Sequence, residues 1–381
     1  MESSIDELRA RVDEVDDELA ALFARRMQAV KEIGLYKKEH NMPILDPARE
    51  RAKLAALGTD LDPALRRYLR IFFTSLFEMS RSYQAQSYRP PSELPQVIET
   101  ALTQTPKVFP DSPPVACQGV EGAYSQQACD RLFDLPNIMF CNTFEGVFQA
   151  VDKGLCRYGV LPLENSTAGS VNEVYDLMNE YRFFIARGLR LNIQHSLLAP
   201  NGVKMADVRE VFSHQQAIQQ CSRFLKSIPN VKVTACENTA TAAQDLAESG
   251  RRDAAVISSQ ECAELYGLAT LSYSIQDTEN NYTRFICITK GLEIYPGAHK
   301  TSIMLSLPHR PGSLYAIMAK FNALGINIQK LESRPIAGMD FEFRFYFDFD
   351  AEVYSDEFKQ IIAELEQETP SFTYLGSYQE L

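Results

Sequence analysis

An apolar stripe with helical spacing dominates the first forty residues of the chain. Its members step by three and four positions along one face of a long helix: Ile5, Leu8, Val12, Val15, Leu19 and Leu22. Continuing the same steps puts Arg26 and Lys37 on that face, where an apolar residue is due. A buried cation is costly unless it meets an anion. The stripe therefore predicts a helical bundle that encloses a site for a negatively charged small molecule.

Composition and charge restrict the class of protein. The chain has 381 residues, enough for two or three domains, and a formal net charge of −12. Residues 1–90 hold 15 acidic and 15 basic residues, and no later region has a basic excess, so we expect no nucleic-acid partner. The acidic amino terminus and the lack of a long apolar run predict a cytoplasmic protein that does not contact a membrane. Eight cysteines without a CxxC pair predict reduced thiols and no metal site.

Prolines mark the boundaries of the first three helices. Pro43 ends the first helix. An aspartate followed by proline supplies an N-cap and a favourable first residue, so a second helix is expected after Asp46 and a third after Asp62. The third helix is expected to reach about Tyr88, with these residues on its inner side: Leu65, Leu69, Phe72, Phe73, Leu76 and Phe77. Residues 1–90 are therefore predicted to form an all-helical domain.

The rest of the chain divides into three regions. The proline-rich residues 91–113 are expected to be mainly a linker, with a short helix as an alternative over residues 97–102. Residues 114–292 alternate short apolar runs with helical stretches, which predicts an α/β domain with a mostly parallel sheet. Residues 298–381 follow the order βαββαβ, the ferredoxin-like arrangement.

Polar residues gather around Arg26 and Lys37, the two cations on the apolar stripe of the first helix (the seam cations). Arg26 and Lys37 are eleven residues apart, about 16 Å along a straight helix, so their side chains can grip a ligand between them. Ser80 and Gln84 share one face of the third helix. The turn and the second helix add Asp46, Arg49 and Glu50. Taken singly, these residues suit helix caps and surface ion pairs; taken together, they suit a compact dianion that carries a hydroxyl.

The helical domain resembles the all-helical chorismate mutase family, and the whole chain resembles enzymes in which that domain is fused to a prephenate dehydratase and an ACT domain. The positions that match the mutase family carry its residue types: Arg9, Arg26, Lys37, Asp46, Arg49, Glu50, Ser80 and Gln84. The resemblance implies a Claisen rearrangement of chorismate to prephenate. Such a reaction is catalysed by positioning and electrostatics.

The resemblance also implies a role for each residue of this set. The three arginines would hold the two carboxylates of chorismate, and Glu50 would bind the ring hydroxyl. Lys37 and Gln84 would act catalytically on the ether oxygen, with Asp46 and Ser80 as supporting residues.

The position of Arg9 predicts a shared site. Arg9 lies 17 residues before Arg26, about 25 Å along one helix, so both cannot reach one small ligand in the same chain. A partner chain must therefore supply Arg9. An antiparallel dimer of the long first helices would also bury the apolar stripe. We expect a homodimer, with a tetramer as the alternative.

The middle region resembles the prephenate dehydratase family. In that family a Thr-Arg-Phe motif lies at a cleft between two α/β subdomains, a periplasmic-binding-protein-like fold, and here Thr283-Arg284-Phe285 opens a strand. The resemblance implies that Thr283 delivers a proton to the departing ring hydroxyl as carbon dioxide leaves. Substrate-binding roles are implied for Glu164, Asn165, Ser166, Thr167, Ser213, Gln220, Arg284 and Phe285.

Two further segments of the middle region bear on the site. The loop at Gly119 and Gly122 follows a strand and can turn its amides toward an anion, although it lacks the GxGxxG spacing of a dinucleotide site. The chain also reads Ser213-His214-Gln215-Gln216 where the family usually has Ser-His-Pro-Gln. Loss of that proline is expected to loosen the turn that carries His214.

The last region resembles the ACT domains of dehydratases, which bind phenylalanine through two motifs. Residues 310–315 and 331–335 match those motifs, although the family's first motif more often reads Gly-Ala-Leu-Val. The resemblance implies that the effector is bound by Gly312, Ser313, Leu314, Glu332, Ser333 and Arg334. A dimerisation module without a ligand is the alternative.

These observations predict a bifunctional enzyme without cofactor or metal that converts chorismate to prephenate and then to phenylpyruvate, under feedback regulation by phenylalanine. Its domains would be helical (1–90), α/β (114–292) and ferredoxin-like (298–381). One alternative is a mutase fused to an arogenate dehydratase. Another is a non-enzymatic ligand-sensing regulator, which the balanced charge of the helical domain and its seam cations oppose.

Overall fold

The computed structural model describes residues 4–86, 91–336 and 342–381. The helices are α1 (Ile5–Glu39), α2 (Pro47–Ala56), α3 (Pro63–Gln86), α4 (Leu94–Gln104), α5 (Tyr124–Leu132), α6 (Phe144–Asp152), α7 (Asn172–Tyr181), α8 (Gln215–Gln220), α9 (Ser222–Lys226), α10 (Thr239–Ser249), α11 (Gln260–Tyr266), α12 (Ser313–Ala323) and α13 (Asp356–Glu368). A 3₁₀ turn covers Met205–Asp207.

The strands are β1 (Pro114–Gln118), β2 (Asn137–Cys141), β3 (Tyr158–Asn165), β4 (Gly169–Ser170), β5 (Phe184–Asn192), β6 (Ser196–Pro200), β7 (Glu210–His214), β8 (Lys232–Cys236), β9 (Ala254–Ser258), β10 (Leu268–Ser272), β11 (Tyr282–Thr289), β12 (Lys300–Ser306), β13 (Ile328–Pro335), β14 (Phe343–Asp350) and β15 (Ser371–Glu380).

The chain forms two compact units. The first unit contains residues 1–97, 305–346 and 354–372, and the second contains residues 98–304, 347–353 and 373–381. The C-terminal region, predicted as one domain, therefore contributes to both units. Among the described residues, no helix is long and apolar enough to cross a membrane.

The first two helices begin and end close to the predicted positions, and the third begins where predicted, at Pro63. A capping box opens α1, because Ser4 Oγ accepts from Glu7 N at 3.2 Å and Glu7 Oε2 accepts from Ser4 N at 3.0 Å. Asn41, with φ of 52°, follows the end of α1. Asp46 caps α2, since its carboxylate accepts from Arg49 N at 3.0 Å. The last predicted residues of the third helix, 87 and 88, lie outside the described residues.

The apolar stripe of α1 is exposed in the single chain. The residues from Ile5 to Leu22 on this face have exposed fractions of 44–61%. On α3, Leu76 is buried as predicted, but Leu65 and Phe72 are about half exposed, so the predicted inner side is only partly covered. The stripe of α1 is exposed because the helix is long: its buried residues, Val30 and Gly34, lie in its last third, and the earlier part extends beyond them.

The segment predicted as a linker contains a helix that packs into the second unit. Ile98 and Ala101 of α4 are buried, and the Phe109 ring stacks on Phe133 with centroids 5.1 Å apart. The segment therefore contains the short helix that the sequence offered as an alternative to a linker, extended to Leu94–Gln104. Its apolar residues bury enough surface to order the segment despite the prolines around it.

The α/β region of the second unit is built on two sheets, which confirms the two-subdomain prediction. Within this unit the strands of the first sheet follow the order β14-β12-β15-β5-β11-β3-β1-β2, with β4 beside β3, and the second sheet has the order β10-β6-β9-β7-β8. The chain crosses from one sheet to the other between β5 and β6 and returns between β10 and β11.

The two crossings explain why the sheets are mixed and the expectation of a mostly parallel sheet is wrong. The β1–β2, β1–β3, β7–β8 and β7–β9 pairs are parallel. The strand that returns, β11, is antiparallel to both β3 and β5. The strand that arrives, β6, is antiparallel to β9 and β10.

The C-terminal region follows the predicted βαββαβ order. Strand β13 pairs with β14, and β14 and β15 flank β12. Alternate residues of β13 are half-buried and exposed, as expected for a strand with one covered face.

Candidate active sites

Arg26 and Ser80 meet between α1 and α3 in the first unit. Arg26 Nη1 donates to Ser80 Oγ at 2.6 Å, and the Arg26 guanidinium lies 5.8 Å from the centroid of the Phe77 ring. Ser80 is buried and also donates to the Leu76 carbonyl. Burial lowers the pKa of Arg26. The predicted seam cation is thus half-buried, but its partner in the protein is a hydroxyl, so an anionic ligand would find it uncompensated.

Gln84 continues the same face of α3 one turn later. Its side chain is buried, and its Oε1 accepts no hydrogen bond from any residue that the structure describes. The two helices come close here, because a Cβ on Gly34 would lie 3.1 Å from Gln84 Cγ. A buried amide oxygen without a partner is unusual and is suited to accept a hydrogen bond from a ligand or a nearby cation.

The remaining mutase residues lie on the turn after α1 and on α2. Lys37 Nζ donates to the Ile44 carbonyl at 2.6 Å, which ties α1 to the turn. Arg49 and Asp46 are exposed, and Glu50 is half-buried in an ion pair with Arg81. Arg81 was not predicted. Its partner lies 31 residues away, so no local spacing could indicate the pair.

Arg9 is apart from these residues. It is exposed and its Nη1 lies 3.5 Å from Asp6 Oδ1, one turn earlier in α1. Because α1 is a single helix from Ile5 to Glu39, the distance of about 25 Å from Arg9 to Arg26 along the helix holds.

A cavity of about 480 Å³ lies between the two sheets of the second unit. Of the predicted residues, it is lined by Asn165, Gln220, Thr283 and Phe285. The lining also includes His214, whose turn the sequence placed near the site, and three unpredicted side chains: Tyr124, His195 and Glu237. Clefts between subdomains that are apolar with a few converging polar groups are typical binding sites.

Asn165 is the centre of a hydrogen-bond network at this cavity. Its Nδ2 donates to Thr283 Oγ1 at 3.0 Å and to Asn281 Oδ1 at 2.9 Å. Its Oδ1 accepts from Thr167 Oγ1 at 2.7 Å and from the Ala168 amide at 2.9 Å. With both ends of the amide occupied, the Asn165 side chain has one orientation, and its Nδ2 fixes the position of the Thr283 oxygen.

The network continues to a buried histidine. Gln220 Nε2 donates to Thr167 Oγ1 at 2.7 Å, and Gln220 Oε1 lies 3.0 Å from His195 Nε2. His195 Nδ1 lies 3.0 Å from Tyr124 Oη. Burial lowers the pKa of His195, and its Nε2 faces an amide oxygen that can only accept, so Nε2 donates to Gln220. The Tyr124 hydroxyl donates to the Gln194 carbonyl at 2.7 Å. Neither aromatic residue carries a sequence motif that would have revealed it.

Several predicted substrate-binding residues have structural partners instead. Ser213 is fully buried and donates to the Ile257 carbonyl at 2.7 Å. Ser166 Oγ donates to the Asn280 carbonyl and accepts from the Tyr282 amide, which closes the loop around Asn165. Neither serine lines the cavity.

Arg284 is the clearest departure from the predicted site. Successive residues of a strand point to opposite faces, and Thr283 and Phe285 line the cavity. Arg284 therefore lies on the other face, where it is 4% exposed and forms an ion pair with Asp348 of β14. Its Nε lies 2.6 Å from Glu380 Oε1 of β15, and Glu164 is 3.6 Å away. Arg284 and Glu164 do not line the cavity.

The turn at His214 forms a helix cap without the family's proline. His214 is the N-cap of α8, and its Nδ1 accepts from the Gln216 amide at 3.3 Å. Gln215 occupies the first helical position, where proline is tolerated but not required. The cap bond does not involve residue 215, and the expected loosening of the turn stays a prediction.

The two glycine amides of the loop in the middle region have partners within the protein. Gly119 N donates to the Cys141 carbonyl at 2.9 Å, and Gly122 N donates to Gln126 Oε1 at 2.7 Å. These two amides are therefore not donors for an anion, and binding by other amides of the loop stays a prediction.

The first effector motif lies at the start of α12. Gly312 has φ of 91°, and a Cβ there would lie 3.3 Å from Glu78 Oε1, so both conformation and space favour glycine. Ser313 Oγ is buried and has no hydrogen-bond partner among the described parts of the chain, and Leu314 is half-buried. In the second motif, on β13, Glu332 and Arg334 are half-buried and Ser333, between them, is exposed.

No group of three or more histidine, cysteine or acidic side chains suited to a metal ion occurs within residues 4–86, 91–336 and 342–381. All eight cysteines are free.

Comparison with known proteins identifies the family. Residues 8–85 match the family described as chorismate mutase type II, and residues 115–292 match prephenate dehydratase. The bifunctional chorismate mutase/prephenate dehydratase of Enterobacter agglomerans is 30% identical over 379 residues, which cover 97% of this chain and 95% of that protein. Arogenate dehydratase/prephenate dehydratase 2 of Arabidopsis thaliana is 37% identical over 276 residues, 69% of this chain and 72% of that protein.

A solved structure agrees with these matches. The prephenate dehydratase of Arthrobacter aurescens in complex with L-Phe is 27% identical, covers 70% of this chain and 89% of its own, and superposes with a TM-score of 0.64. The chain belongs to the bifunctional chorismate mutase/prephenate dehydratase family.

Proposed function

We propose that this chain carries out two consecutive steps of phenylalanine biosynthesis, from chorismate to prephenate and from prephenate to phenylpyruvate. Membership of the bifunctional family supports both activities. The observation that carries the proposal is one polar site in each unit: Arg26 bonded to Ser80 in the first, and Thr283 bonded to Asn165 in the second. Eight free cysteines support a cytoplasmic location, where thiols stay reduced.

The first reaction breaks the ether C–O bond of chorismate and forms a C–C bond within the same molecule, so no proton moves. Arg26 and Arg49 hold the carboxylates, and Glu50 holds the ring hydroxyl. Lys37 and Gln84 meet the ether oxygen, where negative charge develops in the transition state. Half-burial of Arg26 supports this assignment, because the attraction between guanidinium and carboxylate is stronger where water is partly excluded.

The second reaction removes carbon dioxide and water from prephenate. The bond from the ring to its carboxylate breaks, the electron pair enters the ring, and the hydroxyl leaves as water after taking a proton. We assign the proton donor to Thr283. The Asn165 amide donates to Thr283 Oγ1, so the threonine hydrogen remains available to the leaving oxygen. Thr167 and Gln220 both donate to Asn165 Oδ1 and so hold the Asn165 side chain that positions Thr283.

A second substrate, arogenate, is a specific alternative for the dehydratase. Arogenate carries an ammonium group where prephenate has a ketone, and the Arabidopsis thaliana relative bears both names. The exposed Glu237 lines the cavity and has the charge to meet an ammonium group. Rates of the purified protein and of Glu237→Gln with arogenate and with prephenate distinguish the two substrates: if arogenate is used through Glu237, the substitution lowers the rate with arogenate only.

Regulation by phenylalanine is proposed for the βαββαβ region, as an ACT domain. Support comes from the buried, unpartnered Ser313 hydroxyl and the left-handed Gly312 of the first motif. An effector that binds two arrangements of the enzyme with a 100-fold difference in affinity shifts their balance by about 2.7 kcal/mol, which is sufficient for inhibition.

Incubation of purified protein with chorismate tests the proposed function. We expect prephenate to appear first and phenylpyruvate to follow, measured by chromatography without added cofactor or metal. Accumulation of prephenate with no phenylpyruvate, even when prephenate is supplied, would contradict the dehydratase assignment.

We also propose that the protein is a homodimer, or a tetramer built from such dimers, in which Arg9 completes the mutase site of the partner. Support comes from the exposed apolar face of α1, with Leu22 and Val12 more than half exposed, and from the distance of Arg9 from Arg26. An exposed apolar face of this length is typical of an interface.

Mixing two inactive variants tests the shared site. Arg9→Ala and Lys37→Ala subunits are each expected to lack mutase activity, but in a mixed dimer one site has both residues. Exchange of subunits should therefore restore up to a quarter of the wild-type mutase rate, because about half of the dimers are mixed and each has one intact site. Failure to recover activity, with subunit exchange shown by native mass spectrometry, would refute sharing.

A further inference from the structure

The cavity of the dehydratase site has no cation among the described residues that line it. Apart from His195 and His214, its one acidic or basic lining side chain in the described part of the chain is Glu237. Burial lowers the pKa of both histidines, so their rings are neutral. Prephenate carries two carboxylates, and neither meets a lysine or an arginine in this lining. Neutral donors, such as oriented amides and hydroxyls, must therefore bind the charge of the substrate.

Helices α5, α6, α8 and α10 begin at this cavity, and the first turn of α5 differs from the others. Side-chain caps that accept from an amide of the following helix are present on α6, α8 and α10, and they are Thr143, His214 and Asn238. The N-cap of α5 is Ala123, whose side chain has no acceptor. Within the described part of the chain, the amides of Tyr124 and Ser125 donate to no protein atom. Uncapped amides at the positive end of a helix suit an anion.

Ser125, the second residue of α5, adds a hydroxyl to the same turn. The residue lines the cavity and is only 7% exposed. Its Oγ has no hydrogen-bond partner among the residues that the structure describes. Buried hydroxyls are nearly always hydrogen-bonded, so an unpaired one in the lining of a cavity points to a ligand.

We propose that the first turn of α5 binds the carboxylate that prephenate keeps when it becomes phenylpyruvate. The Ser125 hydroxyl and the amides of Tyr124 and Ser125 donate to this carboxylate. Thr283 lines the same cavity, so a substrate anchored at α5 has its ring within the space that Thr283 borders. The inference rests on the proposed dehydratase activity and identifies the group that holds the charge of its substrate.

The other carboxylate of prephenate, on the ring, leaves as carbon dioxide and needs a different environment. Its negative charge passes into the ring as the C–C bond breaks. A cation beside it would therefore stabilise the bound substrate more than the transition state and would slow the reaction. The described lining contains no such cation, which suits the loss of this carboxylate, whereas the uncapped turn of α5 suits the carboxylate that stays.

Three substitutions of Ser125 in the full-length protein test the site, because they separate charge from size. Ser125→Ala is expected to raise the KM for prephenate about tenfold, the loss expected for one hydrogen bond to a charged group. The kcat should change less than about threefold, because the retained carboxylate is bound equally in the substrate and in the transition state. Ser125→Asn should behave like Ser125→Ala. Ser125→Asp has the size of the asparagine variant but repels a carboxylate, so its KM should be roughly tenfold higher still.

A purely structural role of Ser125 predicts the reverse order for the two matched variants. A carboxylate in the first turn of a helix is favourable, so Ser125→Asp should unfold at the same temperature as Ser125→Asn or at a higher one. Thermal unfolding followed by circular dichroism measures this. The mutase rate on chorismate is an internal control and should not change, because the helical region belongs to the first unit and Ser125 to the second.

Inhibition by phenylpyruvate identifies which carboxylate is bound, because this product keeps only one of the two. Its inhibition constant should rise by the same factor as the KM for prephenate in each variant. Equal KM values for Ser125→Asp and Ser125→Asn would overturn the site. A higher KM with an unchanged inhibition constant would place the ring carboxylate at α5 and overturn the assignment. Absence of prephenate turnover by the parent protein would instead be a failure of the proposed function.

Discussion

Replacing Lys37 with alanine is expected to abolish mutase turnover while the dehydratase keeps its rate on supplied prephenate. Lys37 is the cation assigned to the ether oxygen, and removing one preorganised group at a developing charge costs on the order of 3 kcal/mol, about a hundredfold in rate. The dehydratase is expected to be unaffected because Lys37 belongs to the first unit and Thr283 to the second.

Steady-state rates with chorismate and with prephenate check this expectation. Lys31→Ala, on the exposed side of the same helix, is the matched control and should change neither rate by more than about twofold, as is usual for a surface substitution. Lys37 also ties α1 to the turn through the Ile44 carbonyl, so circular dichroism must show intact helices. A parallel loss of both activities in a folded variant would contradict separate sites.

The helical region was predictable because its signals are local. The stripe on α1, the capping aspartates before Pro47 and Pro63, and the placement of Ser80 and Gln84 on one face all follow from helix periodicity and cap chemistry. The apolar pattern alone does not show whether the stripe is covered within one chain or by a partner chain. In one chain the residues from Ile5 to Leu22 are exposed, which agrees with the burial by a partner that the position of Arg9 led us to expect.

The dehydratase site was only partly predictable, because its residues come from segments far apart in sequence. The polar residues near strand ends, Asn165 and Thr283, carried a signal and do meet. His195 and Tyr124 carried no such signal. His195 lies in the crossing between β5 and β6, and its contact with Tyr124 joins residues 71 positions apart. The mixture of parallel and antiparallel strands follows from the same crossings. Apolar runs in the sequence predict strands but do not show where the chain crosses between sheets.

Arg284 shows how a motif match can mislead about the role of one member. The tripeptide Thr283-Arg284-Phe285 invites one role for all three side chains, whereas a strand sends the middle one to the opposite face. There it meets Asp348, Tyr378 and Glu380 of the C-terminal strands. Deleting the C-terminal region would therefore remove the partners of a buried cation, and the resulting loss of dehydratase would say little about effector binding.

Replacing Arg284 with alanine is accordingly expected to destabilise the second unit by roughly 3–5 kcal/mol, the usual cost of breaking a buried ion pair from one side. The substitution leaves Asp348 without its cation at a position that is 6% exposed, whereas Glu380 keeps Lys300 Nζ at 2.6 Å and Arg190 Nε at 2.8 Å. Urea unfolding of the full chain, followed by tyrosine fluorescence and circular dichroism, measures the change.

Two further variants separate the burial of charge from the loss of contacts. Arg190→Ala removes a cation from the same Glu380 but at a side chain that is 56% exposed, so it should cost only about 0–1 kcal/mol. Arg284→Met combined with Asp348→Leu removes both buried charges of the pair and should recover much of the stability lost in Arg284→Ala. If the double variant is no more stable than Arg284→Ala, the stability lost in Arg284→Ala comes from lost packing around the arginine side chain and not from the unpaired carboxylate.

The Arg284→Ala substitution should also lower the dehydratase rate while the mutase rate stays unchanged. Thr283 and Phe285, the neighbours of Arg284 in β11, line the cavity, so a less firmly held β11 would displace them.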